Sequence, residues 1–161
     1  MDADIAEYIK SVYNLMIGER TAEDIKINIG TVHPSCEEKK LSVMGRDLSS
    51  GLPRLLTVTS GEVREAIMNT VNKVVGAVRD TLENTPPELA ADIVNRGIVL
   101  TGGGARICGM DLLIKEKTGI DTYVAENAED CVAVGAGMAL SVLAERNDGI
   151  HKMKHGLFGH K

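Results

Sequence analysis

The stretch in this chain best suited to chemistry is Gly97–Asp111, GIVLTGGGARICGMD, in which three consecutive glycines follow a short β-type apolar run. Glycine loses more backbone entropy on folding than any other residue, so Gly102, Gly103 and Gly104 imply a positive φ, a tight turn, or a ligand lying against bare backbone. A strand that ends in TGGG and leads into a helix puts exposed N–H groups at the C-terminal end of the strand. In α/β folds that is where ligands bind, and such groups favour an anion or a polar ligand edge. The alternative is a glycine-rich turn required by backbone geometry alone. The common phosphate-loop patterns do not fit. Gly104 and Gly109 have P-loop spacing, but Met110 and Asp111 stand where Lys and Ser/Thr are required. GAGMAL (Gly135–Leu140) lacks the third glycine of a dinucleotide fingerprint and reads as small residues for close helix–sheet packing.

The elements that must position this turn follow from periodicity. Ile5, Ile9, Val12 and Met16 have helical spacing, with Gly18 as a stop. A second short helix is expected from about Ala22 to Ile29, opened by a Thr21/Asp24 capping box and closed by Gly30. After a polar stretch, Pro34–Lys40, apolar and polar residues alternate on both sides of SSGLP. This predicts a hairpin with strands near Leu41–Arg46 and Arg54–Thr59. Thr59 and Glu62 form a further capping box, and Val63, Ile67, Val71, Val74, Val78 and Leu82 mark a long helix. A helix restarts at TPPELAADIVNRG, followed by a buried strand at GIVLT, a helix closed by Gly119, a strand at DTYVA, and a largely buried helix over Cys131–Ala144.

The 161 residues carry 43% apolar but only 2% aromatic side chains, so the core is expected to be aliphatic. A net charge of −5 argues against a nucleic-acid-binding face. Cys36, Cys108 and Cys131 are odd in number, widely spaced and free of any CxxC pair, and are expected as reduced thiols of a cytosolic protein. Asp2, Asp4 and Glu7 occupy the place of a signal peptide's basic region, and the longest uncharged apolar stretch falls short of the ~20 residues of a membrane span. A soluble protein is expected.

Several long motifs say more. GERTAEDIKINIG, GRDLSSGLPR, EVREAI, TLENTPPELAADIVNRGIVLTGGGA and YVAENAEDCVAVGAGMAL follow one another in the order and spacing of the MreB family, over about residues 2–144. The chain therefore resembles the bacterial actin-like, rod-shape-determining proteins. That resemblance implies the C-terminal lobe of an actin-like (ribonuclease H-like) ATPase fold of the α/β class. Residues 1–18 would give a helix of the α/β module, 19–85 an α+β helix–hairpin–helix module of IIB type, 86–146 the end of the IIA-type α/β module, and 147–161 a loose tail.

The resemblance further implies ATP, with Mg2+ in the complete protein, between two lobes. IVLTGGGA looks like the adenosine motif, so Gly102, Gly103, Gly104, Ala105, Arg106 and Ile107 would line the nucleotide. Glu23, Asp24, Ile25 and Lys26 of AEDIK look like the short helix covering adenine and ribose, with Glu23 and Lys26 on one face. Partners implied are further copies in homopolymer filaments, the cell-wall elongation machinery and, through parts absent from this sequence, the inner membrane surface of a cytoplasmic protein. Nucleic acid is not among them.

The sequence also departs from the family. The DLGT and DIGGGT phosphate loops do not occur, nor does the first lobe with its acidic catalytic residues, so the sequence reads as a C-terminal fragment, inactive as an ATPase alone. ARICGMD replaces ALLRGLD, and His151, His155 and His160 lie in an unmatched basic tail. Two further readings stand beside this one: a non-catalytic interaction module that keeps filament contacts, and another ATPase with the actin-like core.

Overall fold

The computed structural model describes residues 1–140 together with 142 and 143. The expected tail, 147–161, with its three histidines lies outside the described residues, as do residues 141 and 144 of the expected Cys131–Ala144 helix. Helix α1 (Asp2–Tyr13) leads through a two-residue strand β1 (Leu15–Met16) to α2 (Glu19–Ile29). The hairpin β2 (Lys40–Asp47) and β3 (Pro53–Thr59) is followed by α3 (Ser60–Glu83) and α4 (Pro87–Arg96). Strand β4 (Ile98–Leu100) runs into a 3-10 turn (Gly103–Arg106), α5 (Met110–Thr118) and β5 (Thr122–Val124), and a further helix, α6, covers 131–140.

Among the described residues these strands form two small sheets. β1, β2 and β3 form an antiparallel sheet in that order, and β4 pairs with β5 in parallel, Ile98 opposite Thr122. The hairpin lies where the alternation predicts it. Asp47 closes its turn by accepting from the Ser49 and Ser50 amides, both at 2.9 Å, and these contacts, the Ser50 amide foremost, hold its carboxyl below the usual carboxylate range. Thr59 caps α3 with the complete reciprocal box to Glu62.

The core is aliphatic. Ile5 and Ile9 of α1, Ile25 of α2, Val58 of β3, Val63 and Ile67 of α3 and Ile114 of α5 are all buried in one continuous cluster. It runs from the helix–hairpin–helix part into α5 without a break, and α1 packs against both α2 and α3. Burying these side chains against one another, at ~25 cal/mol per Å2 of apolar surface, is the main favourable contribution to folding.

Several expectations are corrected. α1 stops at Tyr13 because Asn14 turns left-handed (φ 53°), and Met16 passes to β1 at the edge of the antiparallel sheet. α2 begins at Glu19 on Gly18 without a side-chain cap, so the Thr21/Asp24 box does not form. The buried stripe of α3 runs Val63, Ile67, Val71, Val75, whereas Val74 is 42% exposed, because 3.6 residues per turn carries the stripe round the helix. The strand expected to be buried at GIVLT leaves Val99 62% exposed. α6, expected to be largely buried, presents Val132, Met138 and Leu140 to solvent. A two-stranded sheet offers too little surface to cover it. Cys36 and Cys108, expected as thiols, form a disulfide across 72 residues, since the fold brings their Cα atoms to 6.3 Å. Cys131 is free.

Candidate functional site

The glycine turn separates into two kinds of glycine. Gly102 has φ 84°, and Gly109, which precedes α5, has φ 82°, both in the region that only glycine enters without strain. Gly103 and Gly104 have no such requirement, and a Cβ built on either would meet no atom within 4 Å. The chain's own packing therefore does not demand glycine at 103 or 104. Both residues are exposed, at the open end of the 3-10 turn where the first N–H groups have no acceptor within the turn. The turn is held from behind: the Gly102 amide donates to the Ala128 carbonyl, and Ala105 is buried.

Facing this turn is the C-terminal half of α2. Lys26 and Ile27 join Gly103, Arg106, Ile107 and the carboxylate residue Glu129 around an open cleft of about 240 Å3. The charged groups in it are paired. Lys26 Nζ lies 2.7 Å from an Asp2 carboxylate oxygen, and Arg106 Nη1 lies 2.9 Å from Glu129 Oε1. The first pair is partly sheltered and the second largely exposed, so the Arg106–Glu129 pair can open to a ligand at little cost.

Of the residues singled out in sequence, the structure thus brings Lys26, Gly103, Arg106 and Ile107 to one cleft. Glu23 and Asp24 are exposed on α2 and do not line it, and Ile25 points into the core at 0% exposure. Gly102 shapes the backbone. Gly104 and Ala105 border a second, apolar groove of about 230 Å3 with Val74, Val78, Leu100 and Met110. Two lining residues escaped sequence reasoning. Ile27, 69% exposed, stands off the Ala22–Ile25–Ile29 buried stripe, and an apolar residue off the stripe was the available signal. Glu129 carried none, because its role depends on Arg106 being beside it.

Among the described residues no group of three or more His, Cys, Asp or Glu is arranged to hold a metal ion, and no helix is long and apolar enough to cross a membrane. The cleft supplies bare backbone, one ammonium, one guanidinium and an apolar wall. That set suits a flat polar ligand with hydroxyls or ring nitrogens.

The comparisons with known proteins agree with one another. A family model described as MreB/Mbl protein matches residues 1–148. The cell shape-determining protein Mbl of Bacillus subtilis is 52% identical over 139 residues, which is 86% of this chain and 42% of that protein. The cell shape-determining protein MreB of Escherichia coli is 46% identical over 142 residues, 88% of this chain and 41% of that one. Among solved structures, MreB5 of Spiroplasma citri bound to AMPPNP superposes with a TM-score of 0.87 at 37% identity, covering 92% of this chain and 44% of that chain. The MamK double helical filament, at 22% identity and a TM-score of 0.66, shares the fold. The expected architecture, part of an actin-like α/β fold, is therefore the one observed. The chain spans about 42% of the length of the curated relatives it matches. With motifs, fold and comparisons in agreement across nearly its whole length, the chain belongs to the MreB/Mbl family.

Proposed function

We propose that this chain supplies the adenosine-facing part of an ATP site in a filament-forming, cell shape-determining protein. The observation that carries the reading is the pair Gly103 and Gly104. They are glycines that the chain's own backbone and packing do not require; Gly103 lines the cleft shared with Lys26 and Arg106, and Gly104 borders the apolar groove. Two solved relatives support it, MreB5 of Spiroplasma citri bound to AMPPNP and to ADP, both with a TM-score of 0.87. In this reading Gly103 and Gly104 let an adenosine lie on the backbone, Ile27 and Ile107 cover its flat face, and Lys26 and Glu129 meet its hydroxyls and ring nitrogens. Glu23 and Asp24 of α2 act at the rim. Mg2+ and the phosphates belong to groups that these residues do not supply.

The names of the curated relatives, cell shape-determining proteins, support a role in determining rod shape. On this proposal the protein works in the cytoplasm at the inner membrane surface, assembles with further copies of itself and guides the cell-wall elongation machinery. Titration calorimetry with ATP tests the nucleotide reading. Gly103→Val adds a branched side chain where the ligand should lie, and binding is expected to be lost with the circular dichroism spectrum unchanged. Unaltered affinity in that variant would reduce the glycine pair to a turn.

A further inference from the structure

The Cys36–Cys108 disulfide ties the turn after α2, which walls a cavity next to the candidate cleft, to the 103–109 segment, which lines the cleft itself. Cys36 lies in the turn after α2, and Cys108 lies between the 3-10 turn and α5. The approach is prepared by the backbone. Val32 donates to the Cys108 carbonyl at 2.9 Å, and Thr31 pairs with Cys108 in a parallel bridge. Gly109, at φ 82°, permits the contact: a Cβ there would fall 2.4 Å from His33 Cβ and 3.1 Å from Cys36 Sγ. The segment leaving Cys36 is anchored at its far end, where the Lys39 amide donates to Ser60 Oγ and the Gly61 amide to the Glu38 carboxylate. Its residues Glu37 and Lys39, with Ile27, Arg106 and Cys108, wall a cavity of about 290 Å3 beside the glycine cleft. Cys108 is exposed and Cys36 half-buried, so exchange reagents can reach the bond.

We propose that this pair is a reversible redox latch that fixes the 33–39 turn to the 103–109 turn and thereby presets the cleft. Closing the latch joins the two sulfurs and removes two protons and two electrons from the thiols. A low-molecular-weight disulfide accepts both and leaves as two thiols, and a thiol reductant reverses the exchange through a mixed disulfide at Cys108. With the latch open, the Thr31–Cys108 bridge persists while the 33–39 turn is released. The consequence for ligand affinity rests on the nucleotide reading above. A wall already fixed loses less freedom on binding, so the oxidised protein binds adenine nucleotide more tightly.

The 161-residue protein, equilibrated in oxidised glutathione or in dithiothreitol, provides the test. Alkylation and mass spectrometry should find Cys36 and Cys108 joined in the oxidised protein, with Cys131 outside the bond as a thiol or its glutathione mixed disulfide, and all three cysteines free after reduction. Hydrogen exchange at 33–39 and 103–109 should quicken about tenfold or more on reduction through local opening, while 63–75 should change only as far as global stability does. Cys36→Ser should exchange like the reduced protein in either buffer, and Cys131→Ser should still switch. ATP affinity should fall roughly fivefold or more on reduction. Three alkylated thiols under oxidising conditions, identical exchange in the two states, or equal nonzero affinities would overturn the latch. If neither state binds ATP while the exchange difference is present, the nucleotide reading fails and the latch stands.

Discussion

Tyr13 shows how much one polar contact fixes. Its hydroxyl donates to the Glu62 carboxylate, the same residue that completes the α3 capping box, so one carboxylate ties α1 to the start of α3. Burial would raise the Glu62 carboxyl, but the Tyr13 hydroxyl and the Thr59 amide and hydroxyl outweigh it and hold it below its ordinary value. The hydrogen bond to Glu62, ahead of burial, pushes Tyr13 up from 10.0 to about 12. A raised tyrosine pKa means the folded state prefers the neutral form. That stability is complete below pH 10 and is lost as pH rises through about 12. Tyr13→Phe should cost about 1–2 kcal/mol at neutral pH in denaturant melts and flatten this alkaline limb. The same logic separates the glycines. Gly102→Ala forces a side chain to φ 84° and should cost about 1–2 kcal/mol, whereas Gly103→Ala should stay within ~0.5 kcal/mol of the parent. Equal costs in the two variants would contradict this division.

Cover differs sharply among the helices. α3 buries Val63, Ile67, Val71 and Val75 along one stripe and carries a full capping box, so Ile67→Ala should destabilise by about 2–5 kcal/mol and Thr59→Ala by about 1 kcal/mol. α4 has no buried residue, and α6 exposes Val132 at 75% and Leu140 at 68%. The parallel pair β4–β5 leaves Val99 and Tyr123 more than half exposed, and among the described residues no further strand pairs with either outer edge. Native-state hydrogen exchange should therefore be slower across 41–82 than across 98–140. Uniform protection would mean that the uncovered sheet is shielded in solution by something the chain itself provides. Local signals explain which elements were readable. The β2–β3 hairpin and the α3 cap are written in adjacent residues, as alternation around SSGLP and as Thr59 with Glu62. The start of α2 depends on Gly18 leaving β1, a two-residue strand defined only by its pairing with Arg46 and Asp47, so no local pattern announced it.

For the protein as a body, these exposures predict self-association. Purified protein should sediment as species larger than 17.2 kDa, and a sharp monomer would count against the exposed β4–β5–α6 face as a contact surface. Reducing the Cys36–Cys108 bond frees a closure of 72 residues in the unfolded chain and should lower stability by roughly 2–4 kcal/mol, read as a shift in denaturant midpoint between oxidised and reduced samples. Phosphate release from ATP and magnesium should stay at background for these 161 residues. Phosphoryl transfer needs metal-held charge and a positioned water, and the cleft offers Lys26 and Arg106, each already paired to a carboxylate.

Family, fold class and the position of the glycine turn were all legible in the residues, because each rests on local order: motif succession, apolar period and turn chemistry. Gly102, Gly103 and Gly104 were marked together, yet their separation into a conformational glycine and two open ones required backbone angles and neighbours. Lys26 was marked together with Glu23 by the family resemblance, but only packing shows that Lys26 turns to the cleft while Glu23 stays on the open face of α2. Cys36 and Cys108 read as unrelated thiols, since a separation of 72 residues carries no proximity until the chain folds back on itself. Periodicity records which residues avoid water, a property of each residue and its near neighbours. Which side chains meet is set by how the elements close on one another, and that depends on every part of the core at once.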